Sequence, residues 1–147
     1  MPSDSEHLAV AERNQELINH LLPEIKRFGE WITVIAFYRA LHIVEAVFFR
    51  DHPNKHGHNH EGRENILKKT KRYQHIYKNY RVLWAASTVA RYLEDHTCGK
   101  TYASFNDYLS PADVQGLILN HYLKQVEKSA AAYLPPPQPP AASSSAS

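Results

Sequence analysis

WITVIAFYRALHIVEAVFFR, residues 31–50, decides how this chain folds. Apolar side chains occupy most of the circumference of that helical pattern, so it is satisfied only by burial on several sides, at the centre of a helical bundle. Its polar exceptions are informative. Arg39, His42 and Glu45 recur every third residue, which confines them to one arc of the helix. Such an arc either orients a catalytic group across the bundle or forms a satisfied buried polar network, and the network is the commoner outcome. Arg50 and a histidine-crowded loop, DHPNKHGHNHEGR (51–63), follow directly.

Upstream, Asp4 or Ser5 can cap a first helix whose stripe comprises Leu8, Ala11, Ile18, Leu21, Leu22, Ile25 and Phe28. Pro23 falls inside that stripe and removes an intrahelical hydrogen bond, which predicts a kink or restart near Leu22, with Gly29 closing the segment. The central helix is then expected from about Glu30 to Phe49. Downstream, the loop over 50–62 contains Pro53, Gly57 and Gly62 and resists regular structure. A short basic helix is expected over 63–71 and a fourth over 74–93, with Ile76, Tyr80, Leu83, Trp84, Ser87 and Ala90 on one face; Ser87 and Arg91, four apart, stack on the same side.

Residues 95–109 read as a long connection, and Ser110-Pro111-Ala112-Asp113 as a strong helix start. A period of 3.6 puts Val114, Leu117, Ile118, His121, Tyr122 and Gln125 on the buried side of the last helix. LPPPQPPAASSSAS (134–147) has no hydrophobic period and cannot bury enough surface to order itself. No hairpin dipeptide sits between two alternating runs. The expectation is therefore all-α, an up-and-down bundle of four or five helices: one domain over 1–133 and a disordered Pro/Ala/Ser-rich tail over 134–147.

A chain of 147 residues with 43% apolar content supports one such core. The single cysteine, Cys98, excludes an internal disulfide and a Cys-based zinc site, and suits a reducing cytoplasm. The acidic start, MPSDSEHLAVAERN, has no signal-peptide core, and Arg39, His42 and Glu45 interrupt the longest apolar run. Neither secretion nor a membrane-spanning role is expected. Formal net charge is only +2, but residues 63–82 carry seven basic side chains against Glu64 alone, a net +6.

That segment interleaves Arg63, Lys68, Lys69, Lys71 and Arg72 with Tyr73, Tyr77 and Tyr80. Cations that follow a phosphate backbone beside rings on which bases stack are what single-stranded RNA binding requires; the plain alternative is a solvated helix face with tyrosines in the core. In the loop, His52, His56, His58 and His60 are either solvated, RNA-contacting or catalytic, or ligands to a divalent ion with Asp51 or Glu61. No resident metal and no cofactor is expected. Arg91 and His96, four residues intervening, can act on a phosphodiester without one, the guanidinium stabilising phosphate charge and the imidazole moving a proton. Arg50 and His56 form a looser second instance. The bland alternative pairs Arg91 with Glu94 or Glu45. Gly99-Lys100-Thr101 imitates the end of a phosphate loop, but Glu94 stands where glycine is required.

The run WITVIAFYRALHIVEAVFF, the loop and helix start HGHNHEGREN and the segment YKNYRVLWAASTVARYL together resemble the HEPN-like helical domains (higher eukaryotes and prokaryotes nucleotide-binding), over about residues 5–130. The resemblance implies a four- or five-helix up-and-down bundle, frequently a homodimer with a composite cleft. It also implies a metal-independent endoribonuclease of toxin, CRISPR or antiviral defence systems, acting with an antitoxin or other partner protein. Other members are non-catalytic RNA-binding or interaction modules. The family's arginine and histidine fall on Arg91 and His96. The place after the arginine, polar in the family, is Tyr92 here. His56, the third catalytic candidate, and His60 and Arg63 match a recurrent part of the loop.

Overall fold

The computed structural model describes residues 2–52 and 59–135, and no strand occurs among them. Helix α1 spans Asp4–Leu21, capped by the Ser3 hydroxyl, which accepts from the Glu6 amide. Pro23 then sits in a single 3-10 turn, Leu22–Glu24, so the restart falls where proline demands it. Gly29 does not close this segment. It is buried inside α2, which runs Ile25–Asp51 with a local break at Phe28 (φ −121°, ψ 24°).

Helix α2 is the central rod. Ile32, Ala36, Phe37, Ala40, Val44 and Val47 are fully buried, and its flanks pack on α1, α4 and the last helix. Each large side chain so buried contributes about 1.5–3 kcal/mol. An 18-residue window within 4–51 is long and apolar enough to cross a bilayer (mean hydropathy 1.7), yet 72% of it is buried inside the protein.

Helix α3 (His60–Lys69) is capped by Asn59, whose side chain accepts from the Gly62 amide. A 3-10 turn, Lys71–Tyr73, leads into α4 (Gln74–Tyr92), which buries Ile76, Tyr80, Leu83 and Ser87 as the apolar pattern predicts. The short α5 is Phe105–Tyr108. The last helix, α6, opens at Pro111–Asp113 with the expected reciprocal cap between Ser110 and Asp113. It runs on through Val114–Leu123 and Lys124–Ala131.

The middle stretch of α6 is π-helical, and this overturns one expectation. Its buried side chains are Val114, Ile118, Leu119 and Leu123, while Leu117 is 42% exposed and His121 is also exposed. Bonds from i to i+5 widen the turn, so the inward face recurs every four to five residues and not every 3.6. Tyr133 and Leu134 pack on the core, and the Tyr133 hydroxyl donates to the Arg72 carbonyl. His56, His58 and residues 136–147 lie outside the described residues.

Candidate functional site

The polar arc of α2 ties that helix to three others. Arg39 donates to Glu127 of α6 (2.9 Å) and to the Ala11 carbonyl of α1 (2.7 Å). One turn on, His42 Nδ1 lies 3.0 Å from His7 Nδ1 of α1, so one imidazole donates to the other. Glu45, almost wholly buried, accepts from Arg63 Nε of α3 at 2.6 Å.

That last contact moves Arg63 out of its expected role. Its guanidinium is turned inward because an uncompensated buried carboxylate costs more than drawing in one arginine, so Arg63 is not part of an RNA-facing surface. Near it stand His60, 3.5 Å from Nη1, and the buried Tyr80 hydroxyl. Burial lowers the pKa of His42, with His7 and Arg63 adding to the effect, and lowers that of His60, with Arg63 and Arg91 adding. Both rings are therefore held toward the neutral form.

Arg91 reaches this corner from the last turn of α4. Its Nε donates to the Ser87 carbonyl (3.2 Å) and its Nη2 to the Ser87 hydroxyl (3.3 Å), the stacking that the four-residue spacing implies. Neither Glu94 nor Glu45 holds it; Glu45 belongs to Arg63, and Glu94 lies 3.8 Å from His96 Nε2. The guanidinium sits 5.9 Å from the Tyr38 ring and 5.1 Å from the Tyr92 ring. His96 stacks on that same Tyr92 ring at 5.1 Å, interplanar angle 6°. Tyr92 is thus the surface that Arg91 and His96 share.

Backbone geometry makes this pairing. Leu93 ends α4 in the left-handed region (φ 58°), reversing the chain so that Glu94 bridges to Thr101. The His96 amide is then fastened to the Thr88 hydroxyl at 3.1 Å. His96 returns over the helix it has just left.

The exposed basic side chains of the 63–82 run lie along α3, the turn that follows it and the outer side of α4. Lys68, Lys69 and Lys71 are exposed, while Arg72, half exposed, pairs with Asp51 at 2.9 Å. Beside them is an open groove of about 510 Å³ between α4 and the 95–108 segment. Tyr77, Lys78 and Arg81 form one wall, and Asp95, Thr97 and Tyr108 the other. The Tyr77 hydroxyl donates to Glu64, and burial followed by Asp95 pushes the Tyr108 phenol up to about 12, so it stays a neutral donor. Lys78 and Arg81 were legible as part of the basic run. Tyr108 was not, since nothing in a connection of mixed composition signals that it folds against α4.

Among the described residues no three His, Cys, Asp or Glu side chains are grouped to hold a metal ion. Comparison with family models, with curated proteins and with solved structures returned no match.

Proposed function

We propose that this chain is an RNA-directed protein of HEPN-like up-and-down bundle architecture, which binds single-stranded RNA in the groove between α4 and the 95–108 segment. The observation that carries the reading is the pairing of Lys78 and Arg81 with the rings of Tyr77 and Tyr108 around one open groove of about 510 Å³. Cations neutralise the phosphates and rings accept unstacked bases, which a duplex does not offer. Binding of labelled single-stranded RNA, compared with duplex RNA and with Lys78→Ala and Arg81→Ala variants, tests it. Equal affinity for duplex, or indifference to both substitutions, would overturn it.

A second reading, metal-independent endoribonuclease, is favoured by the convergence of Arg91 and His96 on Tyr92. In this reading Arg91 binds the non-bridging phosphate oxygens while the ribose 2′-oxygen attacks phosphorus. The bond to the 5′-oxygen breaks, leaving a cyclic phosphate, and His96 takes the 2′-hydroxyl proton or supplies one to the leaving oxygen. Tyr92 and Leu93, 58% and 40% exposed, offer an apolar edge through which a homodimer would bring two such corners together. Cleavage assayed in EDTA with Arg91→Ala and His96→Ala separates this enzyme from the non-catalytic RNA-binding or protein-interaction module.

A further inference from the structure

We infer a second binding site, for a phosphate monoester, in the groove between the first turn of α4 and the end of α6. This groove, about 350 Å³ in volume, is lined by Arg72, His75, Gln125, Lys128, Ser129 and Tyr133 among others, and by no acidic residue. It is chemically unlike the groove on the other side of α4, whose wall includes Asp95.

Three features point to an anion. First, Lys71, Arg72 and His75 crowd the N-terminal end of α4, where the helix dipole is already positive, and the first turn holds neither an acid nor a side-chain cap. Such placement of cations is unfavourable beside the positive end of the helix dipole, and a bound dianion would reverse that. Second, Arg72 is held in place before any ligand arrives. Asp51 and His52 both contact its Nη2, at 2.9 and 3.2 Å, its guanidinium lies 5.3 Å from the Tyr73 ring, and Tyr133 bonds its carbonyl. A cation already ordered loses little freedom on binding. Third, the charge of Arg72 is offset by Asp51, and Lys128 adds a positive charge from α6 across the groove, with the Gln125 and Ser129 side chains as neutral hydrogen-bonding groups in the same lining.

The volume suits a phosphate with a small organic group, and the phosphorylated end of an RNA presents the same chemistry as a free nucleoside monophosphate. The site stands apart from the RNA groove and does not depend on it. The test measures two pairs of probes against the full chain. Adenosine 5′-monophosphate is compared with adenosine by calorimetry, and 3′-labelled RNA decamers with a 5′-phosphate or a 5′-hydroxyl by fluorescence anisotropy. In at least one pair the phosphorylated member should bind about tenfold tighter. The exposed double variant His75→Gln/Lys128→Glu should erase that preference. A preference in the decamers alone assigns an RNA end as the source, and one in the nucleotide pair alone assigns a small metabolite. No preference in either pair, or one that survives the double variant, overturns the site. Affinity for the 5′-hydroxyl decamer reads the other groove separately.

Discussion

Arg63 Nε and Glu45 Oε1 face each other at 2.6 Å with both side chains almost wholly out of water, and this contact holds α3 onto the C-terminal third of α2. Breaking it from one side strands a charge in the core. Arg63→Met is expected to destabilise the chain by about 3–5 kcal/mol, and the double variant Arg63→Met/Glu45→Gln by clearly less. Urea unfolding of the parent, Arg63→Met, Glu45→Gln and the double variant checks this, and a loss below about 1 kcal/mol in Arg63→Met would mean that Glu45 finds water or another partner.

Acid should loosen the same region. His42 and His60 both lie below the usual imidazole value of 6.5, chiefly through burial. The unfolded chain therefore binds protons that the folded chain refuses, and stability rises with pH wherever that is so. The contribution is complete above 6.5 and drains away as pH falls below it. Melting temperature should be lower at about pH 5.5 than at about pH 7.5, with a smaller difference in His42→Gln/His60→Gln. A pH profile identical in the variant and the parent would refute the assignment.

For RNA binding, the salt dependence separates charge from stacking. Lys78→Ala and Arg81→Ala should each reduce the slope of log affinity against log salt by about one. Tyr108→Ala should weaken binding by about 1–3 kcal/mol and leave the slope alone. Anisotropy titrations at several salt concentrations distinguish the two behaviours.

Arg91→Ala and His96→Ala should each lower cleavage about 100-fold or more if the corner is catalytic. Tyr92→Phe keeps the ring that both residues touch and should retain most of the rate, whereas Tyr92→Ala should not. Cleavage that persists in both alanine variants belongs to a contaminating nuclease.

Leu93 holds a left-handed backbone that leucine disfavours, on an exposed corner. Leu93→Gly relieves the clash but adds freedom to the unfolded chain, so a gain of up to about 1 kcal/mol is expected; Leu93→Val should lose stability. Thermal unfolding of both variants checks the sign.

The elements were legible in the sequence because they rest on local rules. The all-round apolar run of α2 demanded a central position, and Pro23 forced the restart at Leu22–Glu24 while Ser110 with Asp113 capped α6, the last two through contacts within one turn of chain. The inward face of α6 was misread because periodicity assumes a turn width, and the backbone between Val114 and Leu123 adopts a wider one.

Partnership was the part that only the tertiary structure decided. Arg39, His42 and Glu45 share an arc in the sequence, but Glu127, His7 and Arg63 come from three other helices. Likewise Arg63 reads as one more cation in a basic run, and only the approach of α3 to Glu45 takes it inside. Local propensity acts over a few residues of chain. Which buried charge meets which partner is set by the packing of helices far apart in sequence, where desolvation penalises every arrangement that leaves a charge alone.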